Sequence, residues 1–198
     1  MARMDFGNST GLCGDRLAAL FREPLADWSV GSIVVRVRYS RGADFSGRCL
    51  YTQRRIYVNL GRHLRYPYVL TTNLARVQAL RNGWRRELYT LTLFDGYQLA
   101  MFIFLHELYH LLVHRAGRNT RQKESMCDRF AARYLVDRFG CPVTEADGRP
   151  VPREAWDFQD LTGFVAEARR RSDVPAAARI PSPAFLCPVG AEGKETPT

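Results

Sequence analysis

The sequence is short of several things, and each shortage narrows what the chain can be. Its five cysteines, Cys13, Cys49, Cys127, Cys141 and Cys187, are odd in number, widely spread and free of any C-x-x-C pair. That pattern argues against a disulfide framework and against a cysteine-built zinc site. It fits a reducing compartment, so the cytoplasm is the expected location. No run of about 18 apolar residues exists, so neither a membrane span nor a membrane partner is expected. The residues after Met1 lack the apolar core of a secretory signal. Lysine is nearly missing: of 29 basic residues only Lys123 and Lys194 are not arginine. Histidine occurs four times, as His63, His106, His110 and His114.

What remains is globular in composition. The 198 residues are 46% hydrophobic and 25% charged, enough for one domain with a sizeable core. The formal charge of +9 is unevenly spread. Between Arg22 and Arg86 thirteen arginines face three acids, Glu23, Asp27 and Asp44, whereas the rest of the chain is close to neutral. A basic N-terminal half can steer toward nucleic acid or an acidic protein. The plain alternative is a solvated, arginine-rich face of a sheet.

Hydrophobic periodicity organises the chain. Residues 1–10 read as a frayed start. Leu12 to Trp28 reads as a short helix ended near Pro24. Val30 to Tyr39 reads as a strand with arginines on its wet face, followed by a turn over Ser40 to Gly47. Arg48 to Thr52 and Arg55 to Leu60 complete a small antiparallel meander, with a tight turn near Gln53 and Arg54. Leu70 to Asn82 is expected as a helix and Leu88 to Phe94 as an edge strand. Tyr97 to Arg115 is apolar nearly all round and predicts a buried helix. Arg121 to Phe139 predicts a second helix, stopped by Gly140 and Pro142. Pro152 to Arg171 predicts a third, with the Arg169-Arg170-Arg171 run at its end. From Asp173 the chain is proline-rich and reads as a flexible tail. The expected division is one domain over residues 1–172 and a tail over 173–198. Trp28, Trp84 and Trp156 are expected to pack in the core or at its rim. No repeat or helix-turn-helix pair stands out.

The chemistry sits in the buried helix. His106-Glu107-Leu108-Tyr109-His110 is an H-E-x-x-H motif. Histidines four apart on a helix share a face one turn apart, so both imidazoles reach one Zn²⁺. Glu107 lies further round and is placed to take a proton from water. Burying three such groups without a common purpose would be costly. A third ligand is needed. His114 lies two turns from His106, about 12 Å along the axis, too far to share the ion; a supporting role suits it better, and His63 is a remote option. Glu124 and Asp128 are four apart on the next helix, and either carboxylate can close a His₂-carboxylate site while the other orients an imidazole. Ala131 and Ala132 let that helix approach. Tyr109, His114, Tyr134 and nearby arginines are candidates to stabilise an oxyanion. Cys127 reads as a small buried residue.

Two stretches resemble a known family. Glu124-Ser-Met-Cys-Asp128-Arg-Phe130-Ala131-Ala132-Arg-Tyr-Leu135-Val is similar to the E-x-x-A-[DN]-x-F-A-A-x-L-L stretch of the ImmA/IrrE metallopeptidases. His106-Glu-Leu-Tyr-His110-Leu-Leu-Val-His114 is similar to their H-E-L-x-H-x-x-L-H helix, and Gly47 to Asn59 resembles the strand pair before it. The likeness spans roughly residues 30–140 and is specific in the two helices. Tyr109 stands where the family usually has a small residue, and Cys127 where Ala is usual.

The resemblance implies an α+β fold of zincin type, a small antiparallel sheet packed on an active-site helix bundle. It implies Zn²⁺ held by His106, His110 and Glu124, Glu107 as general base and Asp128 as orienting residue. The expected function is a zinc metallopeptidase making limited cuts in a protein substrate, by family analogy a transcriptional regulator or antitoxin. An extended substrate would pair with an exposed strand edge, for which Leu88 to Phe94 is the candidate. Two other readings stand beside it. One is a DNA-associated protease resembling the SprT-like class, suggested by the basic half but lacking that class's third histidine. The other is a non-enzymatic binding module with a structural zinc, which has no need of Glu107.

Overall fold

Alternation of β-branched residues with arginines builds the first sheet. The computed structural model describes residues 3–28, 30–121 and 123–166. Ile33, Val35 and Val37 of β2 (Ser32–Tyr39) point inward, as do Ile56, Val58 and Leu60 of β4 (Arg55–Leu60). Arg36 and Arg38 take the opposite face of β2, as the two-residue period requires. β3 (Phe45–Leu50) joins β4 through a turn in which Arg54 adopts φ +48°.

The sheet is not the expected antiparallel meander. β1 (Arg3–Asn8), from the segment expected to fray, pairs parallel with β2, and β2 pairs parallel with β4. Only β3 runs antiparallel, at the edge beyond β4, giving the order β1-β2-β4-β3. The parallel pair β1–β2 needs a crossover, which α1 (Gly14–Ala26) supplies. Pro24 sits inside the last turns of α1 and does not stop it.

The segment expected as a helix over Leu70 to Asn82 is extended. It forms β5 (Tyr68–Thr72) and β6 (Val77–Leu80), and β6 makes a hairpin with β7 (Gly83–Arg86) across Arg81 and Asn82. Val69, Thr71 and Thr72 are β-branched, and the Asn82-Gly83 pair is a hairpin signal. β8 (Tyr89–Leu93) buries Tyr89, Leu91 and Leu93 as its alternation predicts. It is not an edge: it lies between β5 and β9 (Val143–Thr144). On the hairpin Trp84 is 73% exposed, whereas Trp156 is buried.

The two long helices follow the sequence closely. α2 (Gly96–Arg115) starts at an Asp95 N-cap, which accepts from the Gln98 N–H at 2.8 Å, while the Gln98 side chain reaches back to accept from the Phe94 N–H at 2.7 Å. Its apolar residues are buried from Leu99 to Val113, against β3 and β4 on one side and α1 and α3 (Glu124–Phe139) on others. α3 ends at Gly140 in the left-handed region, φ +66°, where glycine carries no Cβ penalty. The expected third helix is broken: α4 (Arg153–Trp156) is one turn, and residues 161–166 are again helical. The rest of that expected helix and the expected tail lie outside the described residues. The fold is α+β, and none of the described helices is long and apolar enough to cross a membrane.

One stacked pair ties the sheet's crossover helix to α2. Phe21 and Phe104 are both fully buried, with ring centroids 4.4 Å apart. Phe21→Ala is expected to cost about 3–5 kcal/mol in urea unfolding. A loss below about 1 kcal/mol would mean that this contact does not hold the layers together.

Candidate metal centre

The middle of α2 presents three polar groups inside an apolar helix, and each has a partner from another element. His106 Nε2 lies 3.1 Å from Glu124 Oε2 and 3.2 Å from His110 Nε2. His110 Nε2 lies 3.3 Å from Glu124 Oε1. Donor atoms on a tetrahedral ion at about 2.0–2.1 Å stand about 3.3–3.4 Å apart. The two imidazoles and the Glu124 carboxylate therefore converge at separations that suit one small divalent cation. Glu124 opens α3, and the fully buried Ala131 and Ala132 let α3 approach α2.

Asp128, one turn beyond Glu124, takes the other side of His106. Its Oδ1 is 2.9 Å from His106 Nδ1. Its Oδ2 accepts from the Asn73 backbone N–H at 2.7 Å and from Asn73 Nδ2 at 3.2 Å. Arg86 Nη1 donates to Asn73 Oδ1 at 3.2 Å. This chain fixes the ring orientation of His106, the usual office of a carboxylate behind a ligating histidine. His110 has no such support: its Nδ1 is buried without a hydrogen-bond partner among the described residues. Asn73 and Arg86 were not among the sequence candidates. Nothing in their spacing marks them: Asn73, just after β5, reaches Asp128, and Arg86, at the end of β7, reaches Asn73, only once the chain has folded.

Glu107 lies against β3. A Cβ added at Gly47 would stand 2.7 Å from Glu107 Cγ and 2.8 Å from Cδ, and closer still to Oε1. Glycine is thus what lets the carboxylate rest there, where the Cys49 backbone N–H donates to it. Glu107, His106 and Asp128 border a cleft of about 180 Å³ whose apolar walls include Phe45, Leu70, Phe102 and Ile103. β3 and β5 both line this cleft, and both are edge strands of their sheets. The strand edges beside the site are these two, not the one expected at Leu88 to Phe94.

Charge follows geometry. Burial raises the Glu107 carboxyl to about 7, against the opposing influence of His106. Burial works against a charge on His106, but its hydrogen bonds to Asp128 and Glu124 outweigh that and raise its pKa to about 9. Burial and the adjacent His106 lower that of His110. The hydrogen bond from His106 holds Glu124 below the ordinary carboxylate range.

A second donor set overlaps the first. The Cys127 sulfur lies within 4.8 Å of ring nitrogens of His106 and His110. Cys127 is fully buried, and burial pushes its thiol far above the ordinary range, so it is held as the neutral thiol. Glu124 offers a charged oxygen already at ligand spacing.

The remaining candidates are elsewhere. Tyr109 is fully buried, packs on Phe130 and donates its hydroxyl to the Leu161 carbonyl at 3.0 Å. In this arrangement its hydroxyl proton is committed to that carbonyl. His114 is exposed and stacks on Tyr51 with centroids 4.5 Å apart. Tyr134 lies beside Glu23 and Arg138. His63 borders a separate cleft with Arg41 and Arg62. Arg129 and Arg133 do not pair with Glu124 or Asp128: Arg129 donates to the Leu74 and Ala75 carbonyls, and Arg133 binds Asp157.

Compared with protein-family models, curated proteins and solved structures, the chain matches none. Any reading of this site therefore stands on the motif residues and on the geometry above.

The Gly47–Glu107 contact can be isolated. Gly47→Ala is expected to lower stability by about 1–3 kcal/mol, as overpacking does, and to cost well under half of that in a Glu107→Ala background. Equal costs in the two backgrounds, by urea unfolding, would show that the carboxylate does not lie on β3.

Proposed function

We propose that the chain is a zinc-dependent peptidase of ImmA/IrrE type, with a zincin-like arrangement of helices and sheet, that makes limited cuts in a protein substrate. The observation that carries this reading is the convergence of His106 Nε2, His110 Nε2 and the Glu124 carboxylate at 3.1–3.3 Å, on an H-E-x-x-H helix. His106, His110 and Glu124 would hold the ion. Bound zinc supplies Lewis acidity, which polarises a peptide carbonyl and makes water easier to deprotonate.

The chain's own groups do the rest. Asp128 accepts the Nδ1 proton of His106, so that Nε2, once its own proton is lost, would be free to hold the ion. Glu107, facing the cleft from β3's inner side, takes a proton from the attacking water and returns it to the leaving amine nitrogen. An extended substrate segment pairs with the open edge of β3 along the cleft. The apolar walls exclude water and favour apolar side chains next to the cut. A transcriptional regulator or antitoxin as substrate rests on the family resemblance alone.

Purified without chelators or metal-affinity tags and supplied with zinc, the wild type is expected to hold about one ion per chain. Glu124→Ala is expected to lose most of it. Glu107→Gln is expected to keep the ion and to generate no new N-termini in a library of peptides, where the wild type does. A wild type that stays metal-free, or cleavage undiminished in Glu107→Gln, would contradict the reading.

A further inference from the structure

The arginines of the N-terminal half do not scatter once the sheet forms. Strand register puts Arg36, Tyr57 and Arg48 in one row across β2, β4 and β3, and Arg38, Asn59 and Ser46 in the next. Arg55 flanks the first row on β4, with its Nη1 3.3 Å from the Tyr57 hydroxyl. All lie on the face opposite the buried Val35, Val37, Ile56 and Val58, and no described element covers that face. At its rim, beyond the carboxyl ends of the parallel strands β1, β2 and β4, a cleft of about 690 Å³ is lined by Arg38, Arg41, Arg62 and three serines. Carboxyl ends of parallel strands are where open sheets take ligands.

These arginines differ in their pairing from those that tie the C-terminal elements together. Arg133, Arg138, Arg149 and Arg153 each hold a carboxylate. On the sheet face Arg36 is paired with Asp5. Among the described residues, Arg38, Arg41, Arg48, Arg55 and Arg62 have no carboxylate within 4.0 Å. The track is longer than one phosphate: β4 alone extends about 17 Å from Arg55 to Leu60, before the cleft begins. It also carries flat surfaces, because the Arg38 guanidinium lies 4.3 Å over the Tyr57 ring. Guanidinium planes and aromatic rings stack splayed bases. No described helix or ribbon rises from this face to enter a duplex groove.

We infer that the outer face of the four-stranded sheet, continuing into the arginine cleft at its rim, binds single-stranded nucleic acid along its phosphates. The metal centre lies on the other face of the sheet, so this inference does not rest on the peptidase reading.

The test is fluorescence anisotropy of the full chain with a labelled oligothymidylate of about 20 nucleotides, titrated over a range of salt. Arg48→Gln/Arg62→Gln is expected to weaken binding about tenfold and to reduce the slope of log affinity against log salt by about 1.4, two phosphate contacts at about 0.7 each. Arg138→Gln/Arg149→Gln removes the same charge from paired arginines and is expected to leave both nearly unchanged. Equal losses in the two variants would overturn the inference, because net charge alone would then account for binding. So would tighter binding of the matched duplex, or displacement of the oligonucleotide by polyaspartate at equal charge.

Discussion

The dehydration of α2 is the constraint on which the rest depends. The helix is apolar on nearly every side and buried from Leu99 to Val113, yet it carries His106, Glu107 and His110 in its middle. A buried charge or imidazole is tolerable only if another element meets it. The fold answers one group at a time. α3 brings Glu124 to both rings and Asp128 to the back of one. β3 gives Glu107 a glycine to rest on and the Cys49 N–H to accept from. The residue after β5, Asn73, braces Asp128. The small Ala131 and Ala132, the glycine at 47 and the β5–β8 pairing thus serve one requirement, the matching of three polar groups in a dry helix.

How much of this was legible depends on where each signal lies. α2 and α3 declare themselves through periodicity, and Gly140 through its left-handed end, because local sequence decides those features. The inward and outward residues of β2, β4 and β8 follow from alternation for the same reason. Strand partners do not, since alternation is blind to direction: β1 joins β2 in parallel, and β8 is central instead of an edge. In the β5–β6 stretch Leu70, Leu74 and Val77 fit a helical spacing, which the β-branched Val69, Thr71 and Thr72 and the Asn82-Gly83 turn override. At the site, the H-E-x-x-H histidines and the Glu124/Asp128 pair were visible because they are four apart on helices. Asn73, Arg86 and Gly47 were not, because tertiary pairing alone brings them there. Tyr109 fitted a site role by sequence position, and the Leu161 carbonyl takes its hydroxyl instead.

Charge is divided in the same spirit. In the C-terminal part arginines are used to join elements: Arg133 and Arg153 gather Asp157 and Asp137, and Arg129 holds backbone carbonyls of the β5–β6 connection. On the open side of the four-stranded sheet they stand apart from carboxylates but for Arg36. The same strands therefore present two unlike faces, an apolar one that packs on α1 and α2 and a basic one that is left to solvent or to a partner. Cys127 shows the matching economy inside: in the first turn of α3 its thiol is near the imidazoles, yet burial keeps it protonated while the exposed Glu124 stays charged.

The central claim is that His106, His110 and Glu124 hold one zinc ion. X-ray absorption at the zinc edge of the loaded protein tests it most directly. The account predicts a shell of nitrogen and oxygen at about 2.0–2.1 Å with imidazole scattering from two histidines and no sulfur. A sulfur scatterer at about 2.3 Å would place Cys127 on the metal in place of Glu124, and would contradict it.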